Sequence, residues 1–230
     1  MIYLVRESLN IVDGFILVSD DEARYLLKVR RVKAGEIVYF STTGVVYETA
    51  LQLDGRKPLF KIIKKTIGSH SASRLFVGIA SADMNSIEES IRNGVEAGAD
   101  EFFIFKSEYS NTDLSIVDKK MKRLKTIVVS AASQSRRGHL PEINITTMEE
   151  VANLDCEHIV LHPYSPDNLS AYVSNDNIEK MLWVGPEGGF SNKEIEFFKK
   201  NNFKIFSLKT PILRMENAVT FVTAFIKNLI

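Results

Sequence analysis

The stretch from residue 181 to residue 191 reads Met181-Leu182-Trp183-Val184-Gly185-Pro186-Glu187-Gly188-Gly189-Phe190-Ser191. Its first four residues form an uninterrupted apolar run, which is typical of a parallel strand buried on both faces. Gly188 and Gly189 carry no side chains, so a flat ligand could approach the main chain closely at this point. Ser191 and Glu194 are spaced as a capping box, which predicts the start of a helix. The stretch therefore predicts a strand, a loop pinned at both ends, and a helix.

A second stretch near the C-terminus repeats this strand, loop and helix pattern. It reads Ser207-Leu208-Lys209-Thr210-Pro211-Ile212-Leu213-Arg214-Met215-Glu216-Asn217-Ala218. The first loop is not a P-loop, because no Gly-Lys-Ser/Thr follows it, and it lacks the Gly-x-Gly-x-x-Gly dinucleotide motif. Taken alone, a Gly-Gly pair is explained by an ordinary strand-to-helix turn. Two such loops in succession instead predict a pocket built from backbone.

The hydrophobic pattern divides the chain into two domains. Residues 1–67 show short strands with turn signals between them and one helix over 22–30, capped by Asp20 or Asp21, which suggests a small β-barrel. Small polar residues at 68–73 predict a linker. Residues 74–230 alternate strands with helices and predict an open parallel α/β sheet. Its expected strands are 75–80, 102–105, 159–161, 181–184 and 205–208, with a further edge strand at 143–145.

The two C-terminal stretches resemble the SPOUT methyltransferases, most closely the branch that methylates N3 of a uridine in bacterial 16S ribosomal RNA. That family reads Gly-Pro-Glu-Gly-Gly-Phe-Ser, then Leu-Gly-x-x-Ile-Leu-Arg-x-Glu-Thr-Ala. Residues 185–191 match the first motif in full, and the second is matched by Leu208, Ile212, Leu213, Arg214, Glu216 and Ala218. Residues 134–143, Gln-Ser-Arg-Arg-Gly-His-Leu-Pro-Glu-Ile, are similar to a third family element. Residues 28–36 resemble the family's N-terminal Val-Leu-Arg-x-x-x-Gly-Asp segment.

The resemblance implies an N-terminal PUA-like β-barrel that binds RNA and a C-terminal SPOUT domain with a deep trefoil knot. It implies S-adenosylmethionine as the cofactor and a homodimer that completes the cofactor pocket. The small ribosomal subunit and its 16S rRNA are the implied partners. The residues expected to bind the cofactor are Leu161, His162, Val184, Gly185, Pro186, Glu187, Gly188, Gly189, Ser207, Leu208, Pro211, Ile212 and Leu213.

Methylation of uridine N3 removes an imide proton and leaves negative charge on the uracil ring. A guanidinium stays protonated and can donate twice to a ring oxygen, so Arg137 and Arg214 are the candidate catalytic side chains. A structural ion pair is the alternative role for either arginine. Glu187 is the third candidate catalytic residue and is expected to pair with the cofactor's positive charge or to orient an arginine. Glu216 is expected to anchor the second loop near a helix N-terminus. No carboxylate pair or histidine stands out as a general base.

Contact with RNA must come from local patches, because 29 basic side chains balance 29 acidic ones. Apolar residues recur at helical spacing from Val117 to Ala131, which predicts an amphipathic helix with a basic outer face. That face either binds phosphates or is simply solvated. The candidate RNA-binding residues here and in the first domain are Arg30, Arg31, Lys64, Lys65, Lys119, Lys122, Arg123, Gln134 and Arg136.

Cys156 is the only cysteine, so no disulfide can form within the chain and a reducing compartment is favoured. His158 and His162 flank an apolar run that reads as a buried strand, and no Cys-x-x-Cys accompanies them, so we expect no zinc site. The sequence has no apolar stretch of membrane-spanning length and no signal-peptide core. These features predict a cytoplasmic protein.

The last helix, over about residues 216–229, is apolar on nearly all sides. That composition suits either a central core helix or a dimer interface, and the resemblance favours the dimer. Four residues depart from the family pattern near the expected site: Ser133, Lys209, Pro211 and Asn217. They leave two alternatives open: a SPOUT enzyme with another target, such as a ribose 2′-hydroxyl, or a catalytically weak RNA-binding ribosome-assembly factor.

Overall fold

The computed structural model describes residues 1–55, 57–67, 73–173 and 178–229. The chain forms two compact units, one of Met1–His70 with Ala132–Leu140 and the other of Ser71–Ala131 with Pro141–Ile230. The segment Ala132–Leu140 lies within the second domain expected from the sequence, yet it groups with the first unit. Residues 68–72 of the expected linker lie outside the described residues.

The first unit is built on a six-stranded mixed sheet. The order across the sheet is β1, β4, β5, β6, β3, β2, and only β1 and β4 run parallel among the described pairs. Phe40 and Phe60 meet edge to face in the core, with ring centroids 5.0 Å apart. The strands are β1 Ile2–Val5, β2 Asn10–Val12, β3 Phe15–Leu17, β4 Ile37–Thr42, β5 Val45–Asp54 and β6 Lys57–Ile67.

The helix expected over 22–30 differs from the prediction in its start and in its form. Helix α1 spans Asp20–Arg24, and Ser19, rather than Asp20 or Asp21, is its N-cap. The Ser19 hydroxyl accepts the Glu22 N–H at 3.3 Å, and the Glu22 carboxylate accepts the Ser19 N–H. Asp20 and Asp21 occupy the first turn, where the helix dipole favours negative charge. The chain then continues as a π-helical turn, Tyr25–Val29.

The second unit is built on six parallel strands in the order β12, β10, β11, β7, β8, β9. The central strands β7 and β11 are buried along their whole length, as their apolar sequences predicted. From edge strand β9 the chain returns to β10 and then places β11 between β10 and β7. The strands are β7 Leu75–Ala80, β8 Glu101–Phe105, β9 Glu142–Ile145, β10 Glu157–Leu161, β11 Lys180–Val184 and β12 Lys204–Phe206.

Helices α2 to α7 connect or follow these strands. The basic amphipathic helix expected around residues 117–131 is divided into two at Lys120, whose N–H bonds to Val117 at 2.9 Å in a tight turn. Val117 and Leu124 are nevertheless both fully buried on the apolar face. The helices are α2 Met84–Ala97, α3 Leu114–Lys119, α4 Met121–Gln134, α5 Met148–Ala152, α6 Asn192–Lys200 and α7 Met215–Lys227, with a short 3-10 turn at Leu169–Ala171.

Helix α7 buries one face and exposes the other. Val219, Val222 and Ile226 are fully buried, and α7 packs against α2, where a side chain at Gly94 would lie 3.2 Å from Val219. On the outer face the Phe221 and Phe225 rings stack with centroids 6.4 Å apart, and Phe221 is 48% exposed. The helix is therefore a core element with an uncovered aromatic face.

Candidate functional site

All six strands of the second unit run parallel, so their carboxyl ends meet at one edge of the sheet. The loops that follow β7, β8, β10, β11 and β12 lie at this edge, where open α/β sheets bind their ligands. Both of the loops singled out in the sequence are among them. The parallel topology therefore brings the expected cofactor residues to one edge of one unit.

The loop after β11 has the geometry that its sequence predicted. The Gly189 N–H donates to the Pro186 carbonyl at 2.8 Å, which closes a tight turn. Gly189 has φ +71°, a conformation that side chains disfavour. The Ser191 N–H donates to Glu194 Oε2 at 2.7 Å, and the Glu194 N–H donates to Ser191 Oγ at 3.3 Å. The predicted capping box and helix start are confirmed.

Gly188 makes a close contact that the sequence did not reveal. A Cβ placed on Gly188 would lie 3.1 Å from the Cβ of Tyr109, in the loop after β8. The Glu108 N–H donates to Glu194 Oε1 at 2.9 Å, so one carboxylate joins the loop after β8 to the start of α6. Tyr109 is 53% exposed at the same edge. Its position at the carboxyl end of a predicted strand was the only signal available beforehand.

Strand β11 is held from behind by a hydrogen-bonded aromatic cluster. Trp183 Nε1 donates to His158 Nδ1 at 3.0 Å. The other ring nitrogen, His158 Nε2, then carries the hydrogen and donates to the Leu154 carbonyl at 3.1 Å. The His158 ring stacks on Phe203 with centroids 4.1 Å apart. Burial lowers the pKa of His158, and the hydrogen bond to Leu154 opposes that shift. His158 is therefore a neutral core residue that fixes the strand leading into the glycine loop.

The loops after β10 and β12 are tied to each other. The Ser207 N–H donates to the Asp167 carbonyl at 2.8 Å, and the Leu169 N–H donates to the Ser207 carbonyl at 2.9 Å. The His162 N–H donates to the Phe206 carbonyl at 2.9 Å, which holds the end of β10 beside the end of β12. The main chain of Ser207 is thus already used by the protein. The other expected cofactor-binding residues of this loop lie within residues 208–213.

The main chain of residues 208–213 offers unused hydrogen-bond donors. Within the described residues, its N–H groups have no acceptor on the protein. Lys209, Pro211 and Ile212 are exposed, and Ile212 is 75% exposed. Backbone N–H groups are obligatory donors, so at this edge they bond either to water or to a ligand. A purine with ring-nitrogen acceptors is one ligand that such donors can read.

Glu187 lies on the exposed part of the glycine loop. Its carboxyl is within hydrogen-bonding reach of Asp83, the N-cap residue of α2 in the loop after β7. The pKa of Asp83 is lowered, chiefly by the hydrogen bond from the Ser86 hydroxyl, and the contact with Glu187 lowers it further. The sequence did not predict this pairing of two carboxyl groups. It places two carboxyl groups beside the glycine loop.

Arg214 and Glu216 begin the last helix. Arg214 is the exposed N-cap residue of α7, and its guanidinium has no ion pair among the residues that the structure describes. Glu216 is 8% exposed in the first turn of α7, as expected for a carboxylate at a helix N-terminus. Arg214 is therefore available to a ligand at the carboxyl edge of the sheet.

Arg137 belongs to the first unit. Its N–H donates to the Ala132 carbonyl at 2.9 Å, just past the end of α4. Arg137 Nη2 lies 3.1 Å from His139 Nε2. Gln134 and Arg136 are exposed in the same segment, and Arg136 has φ +56°. The structure thus brings together Leu161, Glu187, Gly188 and Ser207 in one unit and places Arg137 in the other.

The expected RNA-binding cations fall into two groups. Lys119 and Lys122 are exposed in the second unit and form no ion pair within the described ranges. Arg123 instead pairs with the buried Glu88, at 2.6 Å, which gives it a structural role that the sequence did not predict. The expected RNA-binding cations of the first unit are all exposed, namely Arg30, Arg31, Lys64, Lys65 and Arg136.

The lone cysteine is partly buried. Burial raises the pKa of the Cys156 thiol to about 12, and nearby carboxylates add to the shift. Among the described residues, no cluster of three or more His, Cys, Asp or Glu side chains could hold a metal ion. No helix in the described ranges is both long and apolar enough to cross a membrane.

Comparison with known proteins identifies the family. Residues 69–227 match the RNA methyltransferase domain family. Ribosomal RNA small subunit methyltransferase E 2 of Borreliella burgdorferi is 29% identical over 220 residues, covering 93% of this chain and 85% of the relative. Ribosomal RNA small subunit methyltransferase E of Aquifex aeolicus is 24% identical, covering 94% of this chain and 95% of that protein.

Ribosomal RNA small subunit methyltransferase E from Neisseria gonorrhoeae, solved with bound S-adenosyl methionine, superposes with a TM-score of 0.87 at 21% identity, covering 100% of this chain and 98% of that one. This likeness confirms the fold class, a PUA-like β domain followed by a SPOUT α/β domain. The return of β11 into the middle of the sheet agrees with the trefoil knot that the resemblance implied. The family match extends over residues 69–227, which is more than half of the chain, so the chain belongs to the RNA methyltransferase domain family.

Proposed function

We propose that this RNA methyltransferase transfers a methyl group from S-adenosylmethionine to N3 of a uridine in 16S ribosomal RNA. The observation that carries the proposal is the pair of loops at one sheet edge, a glycine loop after β11 and a loop after β12 with unused backbone donors. The names of the relatives, which act on small-subunit ribosomal RNA, support the class of substrate.

The residues at this edge fit the proposed cofactor. Backbone donors at 208–213 suit the acceptor nitrogens of adenine, and the carboxyl groups of Asp83 and Glu187 suit the positive charge of its methionine part. Bound S-adenosylmethionine supplies a methyl group on a sulfonium. The proposed binding residues are those expected from the sequence, namely Leu161, His162, Val184, Gly185, Pro186, Glu187, Gly188, Gly189, Ser207, Leu208, Pro211, Ile212 and Leu213.

The proposed role of Arg137 and Arg214 is to hold the uracil ring and stabilise its negative charge. Loss of the N3 proton places charge on the flanking ring oxygens, and a guanidinium can donate two parallel hydrogen bonds to such an acceptor. Arg214 is exposed at the start of α7, on the same unit as the glycine loop. Arg137 comes from the segment that groups with the first unit.

RNA docking is proposed to use phosphate contacts from Arg30, Arg31, Lys64, Lys65, Lys119, Lys122, Gln134 and Arg136. Such contacts position the RNA and carry little sequence information. Arg123 contributes less, because its guanidinium is already paired with Glu88. The substrate of the proposed reaction is cytoplasmic, and so we place the protein in the cytoplasm.

We also propose that the protein is a homodimer formed through α7. The outer face of this helix presents the stacked Phe221 and Phe225 rings, and Leu229 beyond its end is 37% exposed. Burying two aromatic rings against a second copy would contribute several kcal/mol, at about 25 cal/mol per Å² of apolar surface. Sedimentation equilibrium tests this assignment: Phe221→Asp should convert dimers to monomers, whereas Ile116→Asp, at an exposed position on α3, should not.

Two measurements test the proposed reaction. Isothermal titration should detect S-adenosylmethionine binding, and nucleoside mass spectrometry should find one N3-methyluridine missing from the 16S rRNA of a deletion strain. Loss of a ribose 2′-O-methyl mark instead would replace the target while keeping the fold. No cofactor binding at millimolar concentration would leave the catalytically weak RNA-binding assembly factor as the function.

A further inference from the structure

The segment Ala132–Leu140 is fastened to the sheet of the first unit at both of its ends. At one end, Ser133 Oγ accepts the N–H of Val5, the last residue of β1, at 3.1 Å. At the other end, the Gly138 carbonyl accepts the Ser41 hydroxyl at 2.8 Å and the Gly44 N–H at 2.9 Å. These fastenings come from strand β1 and from the β4–β5 hairpin. They explain why the segment groups with the first unit.

The fastening at Gly138 is partly buried and has a buried donor. Ser41 is fully buried, and its hydroxyl lies between two carbonyls, those of Gly138 and of Val45, the latter at 3.1 Å. A Cβ on Gly138 would lie 3.7 Å from the Cα of Gly44, so the two backbones are in direct contact. The two hydrogen bonds accepted by the Gly138 carbonyl would both be lost if the loop moved away, and this loss favours the observed position of the loop.

Arg137 lies between the two fastened points. Its main chain is set by the hydrogen bond from its N–H to the Ala132 carbonyl at 2.9 Å, and its guanidinium lies 3.1 Å from His139 Nε2. Arg136, just before it, has φ +56°, which turns the chain sharply after α4. With Ser133 held four residues before Arg137 and Gly138 held directly after it, the course of the loop is fixed on both sides.

We propose that Ser41 and Ser133 are positioning residues for Arg137, so that the first unit, which carries most of the proposed docking residues, also carries the guanidinium that acts on the uridine. The inference rests on the proposed function. It gives a reason for the departure from the family sequence at Ser133, because the hydroxyl of this residue fastens the loop to β1. RNA docked on the first unit and the side chain that polarises its uracil belong to one body.

The test compares variants that remove the fastenings with one that removes a neighbouring hydrogen bond. Ser41→Ala and Ser133→Ala, singly and together, are measured by single-turnover methylation at saturating RNA and S-adenosylmethionine. Thr42→Val is the matched control, because Thr42 lies next to Ser41 on β4 and its hydroxyl donates to the Glu7 carbonyl, at 2.9 Å, rather than to the segment. We expect the double variant to lose about tenfold in rate, with both dissociation constants within about twofold of wild type. Thr42→Val should react at the wild-type rate.

A double-mutant cycle with Arg137→Ala separates positioning from general structural damage. If the serines act through Arg137, their replacement in an Arg137→Ala background should cost no further rate. Full additivity of the losses would overturn the inference. If the double alanine variant is too unstable to assay, the methylation rates of Ser133→Thr and Ser133→Val are compared instead. Threonine and valine have the same shape, but only threonine keeps the hydroxyl, so we expect only Ser133→Val to react slowly. Equal rates for this pair would also overturn the inference.

Amide hydrogen exchange distinguishes failure of the inference from failure of the proposed function. The Val5 amide donates to the Ser133 hydroxyl, and the Gly44 amide donates to the Gly138 carbonyl. We therefore expect the Val5 amide to exchange faster in Ser133→Ala and the Gly44 amide to exchange faster in Ser41→Ala. Unchanged exchange at both amides would show that the fastenings do not hold the loop, whatever the enzyme's activity. If the two amides exchange faster in the variants as expected, but the wild-type protein methylates no 16S rRNA, the proposed reaction is rejected and the fastening of the loop is not.

Discussion

Replacement of Gly188 by valine should weaken cofactor binding strongly. A Cβ at this position would lie 3.1 Å from the Tyr109 Cβ, whereas carbon atoms pack best at about 3.5–4.0 Å. Tyr109 cannot easily retreat, because the neighbouring Glu108 N–H is bonded to Glu194 at 2.9 Å. Overpacking of this kind costs about 1–3 kcal/mol. If that strain distorts the glycine loop, the dissociation constant of S-adenosylmethionine rises about five- to 150-fold.

Isothermal titration of Gly188→Val against the wild type measures this effect, and size-exclusion chromatography should show an unchanged assembly. Gly188→Ala should give a smaller loss, because it adds only the one colliding carbon. An unchanged dissociation constant for Gly188→Val would refute the assignment of the cofactor to this loop.

A second variant identifies the atom with which the new side chain collides. Tyr109→Gly removes the Cβ that faces Gly188. If the collision with Tyr109 causes the loss, Gly188→Ala combined with Tyr109→Gly should bind as well as Tyr109→Gly alone. If the double variant binds as poorly as the sum of the two single changes, the added methyl instead obstructs the ligand.

Three further predictions concern chemistry, docking and stability. Arg137→Ala should lower single-turnover methylation by roughly a hundredfold with cofactor affinity unchanged; a wild-type rate at saturating RNA would make Arg137 a docking residue. Lys122→Ala should weaken RNA binding modestly and reduce its salt slope by about one, as measured by fluorescence anisotropy over a salt series, and it should leave the saturated rate intact. His158 is buried and neutral, and burial lowers its pKa in the folded protein below the ordinary value of 6.5. Its contribution to the free energy of unfolding is therefore present above pH 6.5 and is lost as the pH falls below 6.5. Urea unfolding should therefore show a loss of at most about 1.4 kcal/mol per pH unit from this group, and His158→Gln should flatten that dependence; an equally steep dependence in the variant would assign the effect to other groups.

The central strands of the second unit could be predicted because each one is a short run of consecutive apolar residues in the sequence. Strands β7 and β11 are buried along their whole length, and a parallel strand covered on both faces has no polar alternation to disguise it. The capping box at Ser191 was equally local, since both partners lie within one turn. Strand β2, Asn10–Val12, escaped prediction because all three of its residues are exposed and give no alternating pattern.

Long-range contacts account for what the sequence could not predict. The grouping of Ala132–Leu140 with the first unit depends on bonds such as that from Val5 to Ser133, which spans 128 positions. The contact of Tyr109 with Gly188 and the pairing of Asp83 with Glu187 likewise join loops that are distant in the sequence. The N-cap of helix α1, Asp20–Arg24, was predicted wrongly for a different reason. Three acceptable capping residues follow one another there, and only Ser19 forms the reciprocal pair of hydrogen bonds with Glu22.

Trp183 gives the protein a built-in spectroscopic reporter. It is the only tryptophan in the chain, its ring is fully buried, and it lies one residue before the end of the strand that leads into the glycine loop. The first unit contributes no indole, so intrinsic fluorescence excited at the red edge of the absorption band reports on the second unit alone. Comparison of that signal with circular dichroism, which senses both units, would reveal whether the two unfold together or in sequence, without any label.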